Sequence, residues 1–182
     1  MSDVGPRERR IPDGDDRERL VCPECSFVAY ENPKVVCGVV VVHDEQVLLC
    51  RRAIEPRRGF WTLPAGYMEL GETPEEGAKR EAWEEARVDL ELTGLLAVYS
   101  IPRISQVQLL YRARLARPGF EPGPESLEVE LFSFERIPWD ELAFPTVHWA
   151  IERYREVGEA HPLVPAANPP GKTGRMKELE ET

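Results

Sequence analysis

Residues 34–43, KVVCGVVVVH, form a nearly unbroken run of β-branched and small apolar positions, which predicts a strand buried on both faces. After the turn residues Asp44-Glu45, residues 46–50 (QVLLC) return to the same character, so the pair predicts a hairpin. The next stretch, RRAIEPRRGFWTLPAG, is loop-like with one short strand at Trp61-Thr62-Leu63. The period then turns helical: Ala78, Ala82 and Ala86 recur every four residues, a small-residue stripe that lets a helix pack close to a sheet. Its start is signalled by Thr73 as N-cap, Pro74 at the first helical position and Glu76 completing a capping box. Further strands are expected over 95–100, 106–115 and 128–134, with Pro118, Pro122, Gly123 and Pro124 punctuating the gap before the last. A second helix is expected over about 146–157, with Trp149, Ile151 and Tyr154 as apolar contacts, while Trp61 and Trp83 read as core residues.

The succession β-β-helix-β-β-β-helix suits an α/β fold with a mixed sheet between helices. The first 20 residues are charged and expected to be poorly ordered, and the Pro/Gly-rich tail from His161 reads as a flexible extension. The expected organisation is an extension over 1–33, a principal domain over 34–158 and a tail over 159–182. No apolar run approaches the roughly 20 residues of a membrane span. The start MSDVGPRERR lacks the apolar core of a signal peptide, so a soluble cytoplasmic protein without a membrane partner is expected. A net charge of −10 argues against a nucleic-acid surface and means that an anionic ligand needs local cations.

Such a cation site is suggested by residues 66–88, GYMELGETPEEGAKREAWEEARV. On the predicted helix Glu81, Glu84 and Glu85 stand at i, i+3 and i+4, so three carboxylates share one face. Like charges at that spacing repel, and Mg²⁺ or Mn²⁺, which prefer carboxylate oxygens, resolve the conflict. The alternative, a solvated acidic face, leaves the regular spacing from Gly66 through Glu72 to Arg80 without a reason. His43, His148 and His161 do not form a metal-binding pattern. Cys37 and Cys50 read as buried core residues, but Cys22-Pro-Glu-Cys25 is half of a zinc-ribbon ligand set. No Cys or His precedes it, which leaves a vestigial turn, a start downstream of a first knuckle, or a pair completed by another subunit.

Gly66, Glu72, Arg80, Glu81, Glu84, Glu85 and Val88 resemble the Nudix box, G-x5-E-x7-R-E-U-x-E-E-x-G-U, where U is a bulky aliphatic residue. Ala82 is small for the first aliphatic position, and Arg87 stands where the family has Gly, which leaves the helix end undetermined. Outside the box, IPDGDDRERLVCPEC, AYENPKVVCG, VYSIPRISQ and PGPESLEVELF resemble the branch containing plant FAD and ADP-ribose pyrophosphatases and their bacterial relatives. The resemblance implies a Nudix-type α/β/α sandwich with a mixed sheet behind a partial zinc-ribbon-like segment. It also implies a metal-dependent pyrophosphatase acting on a nucleoside diphosphate linked to another moiety, FAD or ADP-ribose, with release of AMP.

By match to the box, Glu81, Glu84 and Glu85 would bind Mg²⁺ or Mn²⁺ with help from the Ala65 carbonyl beside Gly66, and Arg80 would organise the carboxylates. Glu72 would act structurally. Related enzymes draw a further Glu from a loop beyond the box, here Glu125 or Glu128, of which Glu125, in a loop able to move over the substrate, matches better. Arg51, Arg52, Arg57 and Arg58 flank the approach and suit phosphates, while Tyr99, Arg103 and Gln106 would meet an adenine or flavin edge. Zinc at Cys22 and Cys25 does not simply carry over, because the branch's first Cys pair is missing. A homodimer is implied by relatives in which partner residues complete the site. Two other readings are a sanitising hydrolase for nucleoside triphosphates and a non-catalytic ligand-sensing domain; the latter typically loses box carboxylates, and all are present here.

Overall fold

The computed structural model describes residues 5–160 and 164–179, so His161 lies outside the described residues. The chain divides into two compact units at Pro33–Lys34. In the first, β1 (Glu8–Arg10), β2 (Arg19–Val21) and β3 (Val28–Ala29) make a small antiparallel sheet. Residues 8–10, within the segment expected to be poorly ordered, are therefore ordered: backbone pairing with 19–21 supplies what their charged side chains do not. The Cys22–Phe27 turn is closed by the Cys22 N–H on the Phe27 carbonyl (2.8 Å) and the Ser26 N–H on the Cys22 carbonyl (2.9 Å).

The second unit contains β4 (Lys34–His43), β5 (Gln46–Arg52), β6 (Trp61–Thr62), β7 (Ala65–Tyr67), α1 (Pro74–Ala86), β8 (Leu90–Ile101), β9 (Gln106–Leu115), β10 (Ser126–Ser133) and α2 (Pro145–Val157). Its mixed sheet runs β10-β5-β4-β9-β8, with β6 beside β5 and β7 beside β4, and β4 and β9 are parallel. Alternate residues of β4 point to opposite faces: Cys37, Val39 and Val41 pack with Ala78, Ala82 and Ala86 of α1. Val40 packs on the other side with Val147, Ala150, Ile151 and Tyr154 of α2. The outcome is the expected α/β/α sandwich. Asp44 and Glu45 turn the β4–β5 hairpin with φ of 47° and 60°, the left-handed pair that a two-residue hairpin of matching twist requires.

The helix start follows the expectation. Thr73 Oγ1 accepts the Glu76 N–H (3.2 Å) and Glu76 Oε2 accepts the Thr73 N–H (2.7 Å). The end is reached without the family's glycine: Arg87 itself adopts the left-handed cap (φ 54°) and donates its N–H to the Trp83 carbonyl at 3.0 Å. Its guanidinium also donates to that carbonyl (3.2 Å) and lies over the Trp83 ring, so Trp83 is not a core residue but an exposed one.

Two features escaped the hydrophobic pattern. Strand β8 begins five residues before the expected 95, since register shifts at Leu92/Gly94 and Leu95/Ala97 break its alternation. The tail, expected to be a flexible extension, runs along the edge of β8. Val98 donates its N–H to the Ala166 carbonyl (2.8 Å), and the Ala166 N–H donates to the Leu96 carbonyl (3.0 Å). The Asn168 amide then accepts the Ser100 N–H (2.8 Å) and donates to the Ser100 carbonyl (2.7 Å), as a peptide group of a neighbouring strand would. Among the described residues, no helix is long and apolar enough to cross a membrane.

Ala78 is fully buried against the sheet. Ala78→Leu should therefore lower stability by about 1–3 kcal/mol, by overpacking, and urea unfolding reads this directly. A change within about 0.5 kcal/mol would show that α1 is not pressed tightly against β4.

Candidate active site

The N-terminal half of the site is made by the short strand β7, which pairs Gly66 with Cys37 and brings the loop after it over α1. Gly66 lies in close approach to α1. A Cβ here would meet the Glu81 carboxyl, so a larger residue would have to push that carboxyl from the place where Arg80 holds it. The neighbouring Ala65 N–H donates to Glu85 Oε2 at 3.0 Å.

Arg80 joins the parts. Its Nε and Nη2 grip Glu72 in a two-pronged ion pair (3.0 and 2.8 Å), and Nη2 also donates to the Tyr67 carbonyl (2.9 Å). Nη1 reaches Glu81 (2.7 Å) and Glu84 (3.1 Å). The guanidinium holds the Glu72 carboxyl down at about 2, helped by the Glu69 N–H, and Glu72 raises Arg80 in return. Burial pushes Glu81 upward, with Arg80 opposing. Glu85 is only 6% exposed, and burial drives its carboxyl to about 8 against the pull of the Ala65 N–H and of Arg52. Glu84 is the open member, with 53% of its side chain exposed.

Among the described residues, no three or more acidic, His or Cys side chains are arranged as a ready metal cage. Arg80 Nη1 bonds both Glu81 and Glu84. The residues nevertheless fit a hard divalent ion. The donors are carboxylate oxygens, Gly66 leaves room beside Glu81, and burial raises both Glu81 and Glu85 toward the protonated form, which a nearby cation would reverse. Zinc does not fit residues 5–31. They supply two thiols where a closed tetrahedral site needs four ligands, Cys22 donates its S–H to Glu24 (3.1 Å), and Glu24 is ion-paired with Arg7.

The other expected site residues divide. The charge of Arg52 acts on Glu85, its Nε donates to the Pro56 carbonyl (2.8 Å), and its guanidinium lies over Phe144. Arg51 is turned to the Gly59 carbonyl (2.9 Å) and to Glu128 (3.2 Å), so Glu128 is already engaged in an ion pair. Glu125 is near enough for its charge to act on both Glu81 and Glu85, but its loop is anchored, with the Ala53 N–H on the Glu125 carbonyl at 2.8 Å. Tyr99 cannot meet a substrate: it is 1% exposed and packs edge-on against Trp149, because its face of β8 turns toward α2. Arg103 is exposed on the turn Pro102–Ile104, and Gln106 accepts a hydrogen bond from Gln108 (3.0 Å). The Tyr67 carbonyl had no signal in the sequence, since any residue could supply it. The groove lined by Glu152, Arg155 and Glu156 contains none of these carboxylates.

This geometry can be set beside known proteins. The family model for the NUDIX domain matches residues 32–156, and the model for the Nudix N-terminal zinc ribbon matches residues 5–31. The chain belongs to the Nudix hydrolase family. A NUDIX hydrolase from Nitrosomonas europaea is 47% identical, with a TM-score of 0.84 over 92% of this chain and 96% of that one. An ADP-ribose pyrophosphatase from Methanocaldococcus jannaschii is 31% identical over 63% of this chain and 69% of its own length. An 8-oxo-dGDP phosphatase from Homo sapiens is 33% identical over 71% of this chain and 42% of its own. The chain spans about half the length of other curated relatives that it matches. Nudix enzymes generally use Mg²⁺ or Mn²⁺.

A pH dependence follows for this Nudix hydrolase freed of metal. The Glu85 carboxyl is raised from 4.5 to about 8 in the folded state, so folding binds a proton more tightly than the unfolded chain does. Its stabilising effect is complete below about 4.5 and is lost as pH rises through about 8, by up to roughly 5 kcal/mol. In EDTA, thermal melting should fall between pH 5 and 8, and added Mg²⁺ should restore it most at pH 8. Equal Mg²⁺ stabilisation at pH 5 and 8 would contradict this account.

Proposed function

We propose that this Nudix hydrolase splits the diphosphate of a nucleoside diphosphate linked to another moiety, ADP-ribose or FAD, and releases AMP. The observation that carries this reading is the shared acidic face of α1 beside the Gly66 strand, with Glu81 and Glu84 held by Arg80 and Glu85 by the Ala65 N–H. The resemblance to the M. jannaschii ADP-ribose pyrophosphatase supports the substrate class. Glu81, Glu84 and Glu85 are the residues that would hold Mg²⁺ or Mn²⁺. When bound, the metal neutralises the diphosphate oxygens and acidifies a bound water.

The remaining work falls to the chain's own groups. Arg80 keeps its grip on Glu72 and the Tyr67 carbonyl, which fixes the loop after β7 and the spacing of the carboxylates. Arg52 adds positive charge on the side of Glu85 and offers a guanidinium to the phosphates. Glu125 accepts the proton of the attacking water at a carboxylate oxygen, a role that suits a carboxylate near enough for its charge to act on Glu81 and Glu85. Glu128, bound to Arg51, is the weaker candidate.

A second reading, removal of a phosphate or pyrophosphate from a damaged nucleotide, is favoured by the similarity to the human 8-oxo-dGDP phosphatase. Product analysis separates the two. Incubation with Mg²⁺ or Mn²⁺ should give AMP with ribose 5-phosphate from ADP-ribose, or AMP with FMN from FAD. Release of orthophosphate or pyrophosphate from a nucleoside di- or triphosphate, with ADP-ribose and FAD untouched, would select the second reading. Glu84→Gln and Glu85→Gln should each lower kcat about a hundredfold while the protein stays folded, and near-normal turnover in both would remove the metal face from the mechanism.

A further inference from the structure

We propose that Gly123 is a positioning residue: it lets the 122–126 loop lie directly on the last turn of α1 and so holds Glu125 over Glu81 and Glu85. The inference rests on Glu125 taking part in the hydrolysis proposed above. Gly123 is buried, and its N–H donates to the Glu85 carbonyl at 3.0 Å. A Cβ at this position would fall on the Glu84 carbonyl oxygen, closer than any non-bonded pair can approach, and 3.2 Å from the Glu85 Cα. Both are helix backbone atoms, so nothing there can rotate aside. Glu121 adds a second strap, its N–H on the Ala86 carbonyl at 3.0 Å. The loop thus satisfies two carbonyls that the end of α1 leaves unpaired, one of them belonging to Glu85 itself.

Glu125 is pinned on both sides of this contact. The Gly123 carbonyl accepts the Ser126 N–H (3.0 Å), closing a turn around Pro124-Glu125, and the Glu125 carbonyl accepts the Ala53 N–H (2.8 Å) from the end of β5. Pro124 stiffens the link between the contact and the carboxylate by fixing its own φ. The charge of Glu125 acts on both Glu81 and Glu85, which places its carboxylate near the acidic face of α1. Any side chain at 123 must lift the loop from the helix by roughly 1–2 Å, and Glu125 moves with it.

The test is a double-mutant cycle in the full chain. Gly123→Ala, Pro124→Gly and Glu125→Gln, alone and with Glu125→Gln as background, are assayed for kcat and KM on ADP-ribose and for Mn²⁺ affinity by electron paramagnetic resonance. Gly123→Ala should lower kcat about a hundredfold with KM within about threefold, and weaken Mn²⁺ about tenfold. In the Glu125→Gln background the same change should cost less than about threefold in either readout. Pro124→Gly adds no bulk and keeps the cycle readable if Gly123→Ala does not fold; it should show the same non-additivity at smaller scale. Glu121→Ala, which removes only an exposed side chain, should match the wild type.

Multiplicative losses, or wild-type Mn²⁺ affinity in Gly123→Ala, would overturn the positioning role. So would a Glu125→Gln variant with normal kcat and normal Mn²⁺ affinity. A wild type that turns over no diphosphate sinks the hydrolase reading instead, and the Mn²⁺ arm then still decides the role of Gly123.

Discussion

Four polar groups around one guanidinium hold this molecule's functional half together. Arg80 bonds Glu72, Glu81, Glu84 and the Tyr67 carbonyl, so the loop after β7, the start of α1 and its acidic face share a single cation. Three carboxylates within one helical turn would otherwise repel one another in a partly buried setting where water screens poorly. Arg suits the place better than Lys, because its planar fork can serve several acceptors at fixed angles. One cation does not suffice, however: Glu81 and Glu85 both stay raised toward the protonated form. That shortfall in positive charge is what a divalent ion, if bound here, would make up.

The arrangement also depends on missing side chains. Gly66 admits β7 against Glu81, Gly77 lets the Glu72 carboxylate approach to 2.8 Å of where its Cβ would be, and Gly123 seats a loop on the helix backbone. Ala78, Ala82 and Ala86 likewise let α1 sit close to β4. Small residues on both sides of α1 therefore set where its carboxylates stand, and larger ones would displace them together.

Elsewhere the fold uses backbone and buried polar groups to finish what the hydrophobic pattern leaves open. Asn168 completes the edge of β8 with a side-chain amide. Arg112, fully buried on β9, donates to carbonyls of Thr93, Gly158 and Ala160, tying the sheet to the end of α2. Its charge is well placed, since the C-terminal end of a helix is the negative end of its dipole.

The linear pattern determined the two helices, the β4–β5 hairpin, β9, and the identity of the acidic helix face, because all of these rest on local periodicity, capping and short-range spacing. Thr73 and Glu76 cap α1 through contacts three residues apart, and Glu81, Glu84 and Glu85 share a face through helix geometry alone. Tertiary structure decided the rest. Tyr99 and Gln106 sit close together in sequence, yet the pleat and the packing of α2 buried the first and left the second partly open. The tail looked flexible because its composition is polar and Pro-rich, but its order comes from the β8 edge it covers. Gly123 read only as a turn residue, since its close contact is with a helix more than thirty residues earlier in the chain. Periodicity reports which face of an element is apolar; it does not report which backbone atoms a distant segment will bring to it.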